Sequence, residues 1–189
     1  MIKRSYDNKQ MKNIMQLYKS LVRPHLEYAV QAWRPYKQKH LNLIESVQRR
    51  ATKMIEGLHE VPYEDRLSAC GLLSLEMRRR RADLVEVFRM VNGDEPLPVD
   101  HFFTFVSPTS STRGHSKKMF KPQARLNLRK NFFSHRVVDL WNALPEEVIN
   151  SSSVTTFKTQ ITPMFNNNRG LVTSHKWLPA PVQISSRSH

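Results

Sequence analysis

Between Lys39 and Ile55 the apolar residues Leu41, Ile44, Val47, Ala51, Met54 and Ile55 recur every three or four positions, the spacing of one helix face. No other stretch constrains the fold as strongly, because an apolar stripe of this length has to be covered by further elements. Glu45 and Arg49 are spaced to pair at i,i+4 on the exposed side, and Gly57 is placed to stop the helix. Upstream, Ile14, Tyr18, Leu21, Tyr28 and Ala32 follow helical spacing from Lys9 to Trp33. Pro24 interrupts them. Its ring clashes with the carbonyl of Ser20, so a kink or a new helix is expected there. Trp33-Arg34-Pro35-Tyr36 ends the segment, since a residue before proline is pushed out of the helical region.

Helix signals continue downstream. Pro62, Glu64 and Asp65 read as a short helix opening that Gly71 closes. Ser74 is positioned to cap a helix to about Val91, with Met77, Leu84, Val85, Phe88 and Val91 inward and Asn92-Gly93 as its end. Pro96, Pro98, Pro108 and Pro122 break up residues 94–131, which reads as loop with two or three short strands. A helix from about Phe133 to Leu144 buries Phe133, Val137, Leu140, Trp141 and Leu144, and Pro145-Glu146-Glu147 starts another turn. Ser153 caps a last helix carrying Phe157, Ile161 and Phe165, which Pro163 is expected to break early. The expected fold is therefore mostly α, a helical bundle with a short, poorly regular β/loop insertion around 101–131. Its parts are a helical unit over 1–93, a basic loop or short strands over 94–131, C-terminal helices packing back over 132–165, and a disordered tail over 166–189.

Length and composition narrow the function classes. The chain has 189 residues, enough for one domain with a real core. No apolar run approaches the roughly 18 residues that a membrane span needs, so no membrane partner is expected. Met1 to Asp7 carries charge with no apolar stretch behind it, unlike a secretory signal. The single cysteine, Cys70, rules out an internal disulfide framework and reads as a small buried side chain. An intracellular location, nuclear or cytoplasmic, is the expectation.

Enzyme signatures are scarce. His25, His40, His59, His101, His115 and His135 fall into no metal-binding spacing and read as scattered surface residues. With 5 glycines there is no phosphate-cradling loop. The adjacent acids Glu64-Asp65, Asp94-Glu95 and Glu146-Glu147 point about 100° apart on a helix and do not converge on metal ions. No catalytic residue, cofactor or metal is expected.

Basic groups are the dominant feature. Lys and Arg number 30 against 16 acids, a net charge of +14, and a pI near 10.3 points to a polyanionic partner. Lys37, Lys39, Arg49, Arg50 and Lys53 decorate the 39–55 helix, with Arg49 and Lys53 one turn apart on one face. Between Asp100 and Asp139 no acid offsets Arg113, Lys117, Lys118, Lys121, Arg125, Arg129, Lys130 and Arg136. Arg78-Arg79-Arg80-Arg81 wraps nearly a full turn of its helix, and Arg80 falls on the apolar stripe, where it must snorkel, pair or weaken packing. Guanidinium groups bind phosphates bidentately. The expected nucleic-acid contacts are thus Arg49, Arg50, Lys53, Arg113, Lys117, Lys118, Lys121, Arg125, Arg129 and Lys130, with the arginine run as a further candidate. Trp33, Tyr36 and Trp141 are at helical spacing and read as core in preference to base-stacking groups.

Several strings carry a family resemblance. Leu17-Tyr18-Lys19-Ser20-Leu21-Val22-Arg23-Pro24-His25-Leu26-Glu27-Tyr28, Gln31-Ala32-Trp33, Glu45-Ser46-Val47-Gln48-Arg49-Arg50-Ala51-Thr52-Lys53, Tyr63-Glu64-Asp65-Arg66-Leu67, Phe132-Phe133-Ser134-His135-Arg136-Val137-Val138 and Leu140-Trp141-Asn142-Ala143-Leu144-Pro145 stand in order along roughly residues 6–165. Together they resemble the thumb and post-thumb region of non-LTR (LINE-type, jockey-like) retrotransposon reverse transcriptases. The resemblance implies a thumb-like helical unit over 1–93 that grips a template–primer duplex or RNA. It implies no catalysis, because the family's Tyr/Phe-Ala-Asp-Asp turn has no counterpart in this sequence. Met1 then reads as an internal methionine of a longer reading frame, and the chain as a truncated copy. Arg80, where the resemblance implies leucine, and Pro163 are departures that suggest relaxed function. The expected function is a non-catalytic nucleic-acid-binding fragment of an RNA-directed DNA polymerase. The rival readings are a protein-interaction module and an unselected genomic relic.

Overall fold

The computed structural model describes residues 10–107 and 114–166. Arg113 and residues 167–189 of the expected tail lie outside the described residues, while Asn166, expected to begin that tail, ends the last helix. The fold is mostly helical, with one small two-stranded sheet. Helix α1 is Met11–Leu17, followed by a π turn over Tyr18–Val22 and α2 over Arg23–Glu27. Then come α3 (Gln38–Lys53), α4 (Tyr63–Ala69) and the longest helix, α5 (Leu75–Asn92). After a 3₁₀ turn at Val99–His101, strands β1 (Thr104–Phe105) and β2 (Met119–Phe120) pair antiparallel, Thr104 opposite Phe120. Five short or medium helices follow among the described residues: α6 (Asn127–Lys130), α7 (Phe133–Arg136), α8 (Val138–Asn142), α9 (Glu146–Ile149) and α10 (Val154–Asn166).

Pro24 sits in the first turn of α2, where its missing N–H costs nothing. The chain reaches it through a wider turn, in which the Arg23 N–H bonds the Tyr18 carbonyl, five residues back. Widening moves the buried face. Ile14 and Tyr18 are buried as expected, but Leu21 is 58% exposed and Val22 and Leu26 pack inward in its place. Tyr28 and Ala32, also expected inside, lie on the surface because the chain turns away at Ala29, whose φ is +47°.

Helix α5 follows the sequence rules closely. The Ser74 hydroxyl accepts a bond from the Met77 N–H at its start, and Gly93 takes the left-handed conformation that ends it, φ +76°. Its inner face, Leu84, Val85, Val87, Phe88 and Met90, meets Phe133, Val137, Val138, Trp141, Leu144, Phe157 and Ile161 in the larger core. Phe88 stacks on Phe157 with ring centroids 4.2 Å apart, and burial of each ring is worth about 1.5–3 kcal/mol. Pro163 does not break α10. It lies exposed in the last turn, where little helix remains to be disrupted, while Ile161 and Phe165 stay buried and hold the turn down.

A second, smaller core joins Ile14, Met15, Tyr18, Ala51, Ile55, Cys70 and Leu72. Helix α3 faces it with polar as well as apolar side chains, since Gln48 and Thr52 are fully buried. Gln48 accepts from the Tyr18 hydroxyl at 2.7 Å and donates to the Tyr63 hydroxyl and the Leu73 carbonyl, each at 3.0 Å. Glu45 belongs to the same network. Its carboxylate accepts from the Tyr63 hydroxyl and from the Leu75 N–H at 3.0 Å, placing negative charge at the positive end of α5. The expected surface pair of Glu45 with Arg49 is therefore not formed; burial pushes the Glu45 carboxyl up, against the pull of Tyr63, Leu75 and Arg49.

Candidate nucleic-acid interface

Charge inside the molecule has to be matched before the surface can be read. Asp83 is fully buried on α5 and receives Arg136 bidentately, Nε at 2.9 Å and Nη2 at 2.8 Å, with Arg34 Nη1 at 3.3 Å. Arg136 also donates to the Val30 and Asn131 carbonyls. One carboxylate thus ties the 28–37 loop and α7 to the central helix. Arg136, expected among the free charges of the acid-free interval, is an internal group, and Asp83 is the counter-charge that local spacing concealed.

Three of the four arginines in the run are consumed internally as well. Arg78 pairs with Glu27, Arg79 donates to the Leu26 carbonyl at 2.8 Å, and Arg80 pairs with Glu76 at 2.6 Å. Arg79 is 2% exposed and Arg80 8%, so neither offers its guanidinium to a phosphate. Arg80 resolves its place on the apolar stripe by pairing one turn back. Arg81 donates to the Lys158 carbonyl and the Thr162 hydroxyl and has no ion-pair partner among the described residues.

On α3, Arg49, Arg50 and Lys53 are all exposed. Arg49 lies over the Tyr63 ring, 4.6 Å from its centroid, which fixes it in the groove between α3 and α4. Arg50 and Lys53, with Lys37 and Lys39 on or beside the same helix, make no ion pair among the described residues.

The basic interval splits into two structural parts. Lys117, Lys118 and Lys121 flank β2, which is clamped to α8. Asn142 there acts as a substitute strand, its side-chain oxygen accepting the Met119 N–H at 2.9 Å and its NH₂ donating to the Met119 carbonyl at 2.8 Å. The Lys117 carbonyl accepts from the Trp141 indole N–H at 2.8 Å. Lys121 pairs with Asp139, so its charge is not free as the sequence suggested. Arg125, Arg129 and Lys130 are exposed on or before α6, interleaved with Leu126, Leu128 and Phe132, and Arg129 lies 5.7 Å from the Phe132 ring centroid. The two basic groups ride on different cores, α3 on the smaller and β2 with α7 and α8 on the larger. Trp141 is fully buried and cannot meet a base, whereas Trp33 and Tyr36 are each 44% exposed, Trp33 beneath the Arg79 guanidinium.

His115 and His135, read as surface histidines, are buried. His115 Nε2 lies 2.9 Å from the Trp141 carbonyl and so carries the proton, leaving Nδ1 buried without a partner. Burial pushes the imidazole below its ordinary value near 6.5, with Lys118 and Lys117 acting in the same direction against Glu146 and the Trp141 bond. The folded chain holds His115 neutral while the unfolded chain binds a proton. Its contribution is complete above pH 6.5 and is lost as pH falls through and below that value. Denaturant melts between pH 5 and 8 are expected to show this decline, and His115→Gln to flatten it.

No three His, Cys, Asp or Glu side chains gather into a metal site among the described residues, and no described helix is long and apolar enough to cross a membrane. Comparisons with protein-family models, curated proteins and solved structures found no match to this chain.

Proposed function

We propose that this chain is a non-catalytic nucleic-acid-binding module that grips phosphates along a template–primer duplex or an RNA, in the manner of a reverse-transcriptase thumb. One observation carries the reading. After the internal pairs are made, Arg50 and Lys53 on α3 and Arg125, Arg129 and Lys130 around α6 remain exposed without acid partners among the described residues. Exposed cations contact phosphate backbones while reading little sequence. The resemblance of the Leu17–Tyr28, Glu45–Lys53 and Phe132–Pro145 strings to the family supports the same reading.

Charge reversal tests it. Arg50→Glu with Lys53→Glu, and separately Arg129→Glu with Lys130→Glu, are expected to weaken binding to an RNA–DNA hybrid. Each pair is also expected to reduce the slope of log affinity against log salt by about one to two, since each lost phosphate contact removes about 0.9. Parent-like affinity and slope in both pairs would remove the proposal and favour a protein-interaction module.

A further inference from the structure

A cleft of about 250 Å³ opens beside α5 where α2, the 28–37 loop and α10 meet it, lined by Arg78, Arg81, Arg89 and Lys158 together with Glu27 and Glu86. The acids are already engaged: Glu27 by Arg78 and Arg23, and Glu86 by Arg89. Arg81 and Lys158 are not. Both are half-buried, and neither has an ion-pair partner among the described residues. Arg81 is nonetheless held in place, Nε on the Thr162 hydroxyl at 3.2 Å and Nη2 on the Lys158 carbonyl at 3.1 Å. A guanidinium held in place and a lysine lining the same cleft, neither ion-paired to an acid among the described residues, form an arrangement that an anion with several acceptor oxygens satisfies. Burial and the neighbouring Arg78 both lower the Arg81 guanidinium from its ordinary value, with Glu27 acting the other way. The cleft's volume leaves room for a tetrahedral group.

We infer that this cleft is a phosphoryl-binding site in which Arg81 and Lys158 supply the charge and Arg78 and Arg89 its rim. It rests on the proposed function only for the source of the phosphoryl group, a backbone diester or a terminal monoester of a nucleic acid; a free phosphate anion needs no such premise.

The test uses the full chain and inorganic phosphate, read by ³¹P line broadening and by thermal shift against chloride at equal ionic strength. Saturable phosphate binding is expected. Lys158→Gln and Arg81→Gln should each weaken it by about tenfold or more, the loss of one hydrogen-bonded charge. Lys12→Gln, an exposed charge outside the cleft, should leave it unchanged. Lys158→Gln removes no internal bond of Arg81, so it remains informative if Arg81→Gln fails to fold. Competition by oligonucleotides with and without a 5′-phosphate identifies the source: preference for the phosphorylated end means a monoester, equal competition a diester. Phosphate that binds while no oligonucleotide does upholds the cleft and removes the nucleic-acid reading. Phosphate that stabilises no more than chloride, or that binds Lys158→Gln as tightly as the parent, overturns the inference even where oligonucleotides bind.

Discussion

Asp83→Ala is expected to cost about 3–5 kcal/mol, the largest effect of any single charge change in the molecule. Asp83 is fully buried and is the shared anion of Arg136 and Arg34, whose side chains are 10% and 13% exposed. Removing it leaves two largely buried guanidinium groups close together, with Glu76, 3.7 Å from Arg34, as the acid that remains. Arg34 already bears the penalty of burial, which lowers it from its ordinary value, relieved by Asp83 and aggravated by Arg136. The network joins three separate parts of the chain, so the 28–37 loop and α7 should both loosen on α5. A loss of this size is a large fraction of the roughly 5–15 kcal/mol that holds a domain folded. Urea melts of Asp83→Ala beside the exposed control Glu64→Ala measure it, the control staying within about 0.5 kcal/mol of the parent. A parent-like Asp83→Ala midpoint would mean that solvent reaches the network. Replacing Asp83, Arg34 and Arg136 together with apolar residues is expected to recover most of the loss, because no unpaired charge then remains.

Trp141→Ala is expected to be about as severe, roughly 3–5 kcal/mol. The indole is fully buried among the residues of the larger core, 6.3 Å from Phe157 and edge-on to His115 at 6.0 Å between centroids. It also anchors the basic hairpin through its N–H on the Lys117 carbonyl. Two losses are therefore combined, a cavity in the core and a free hairpin. Trp141→Phe separates them: it keeps most of the packing and sacrifices the hydrogen bond, at about 1 kcal/mol. If the hairpin contributes to binding, Trp141→Phe should weaken nucleic-acid affinity by more than its modest stability loss explains. A Trp141→Ala chain that melts with the parent would contradict the core described above.

Much of this architecture is legible in the sequence because the informative signals are local. Ser74 and Gly93 bound α5, Pro62 and Pro145 open α4 and α9, and Phe157, Ile161 and Phe165 mark the buried face of α10, all within a few residues of the structure they dictate. What misled is equally physical. Leu21 has perfect helical spacing, yet the wide turn ahead of Pro24 shifts the face by one residue. Pro163 reads as a breaker until its position in the final turn makes the lost bond inexpensive. The site is harder to read, since a charge's availability depends on distant partners. Arg136 and Asp83 are 53 residues apart in sequence, and Lys121 and Asp139 are 18 apart. No spacing rule links either pair, so both looked free. Buried Gln48 and Glu45 were hidden for the same reason, their partners coming from three other segments.

The most direct measurement for the central proposal is the salt dependence of binding by the unaltered chain to an RNA–DNA hybrid, duplex DNA and single-stranded RNA. Saturable binding with log affinity falling linearly against log salt, and a slope that shrinks stepwise when Arg50 with Lys53 and then Arg129 with Lys130 are reversed, is the expected result. Weak, non-saturating binding that treats all three nucleic acids alike and ignores both reversals would contradict it.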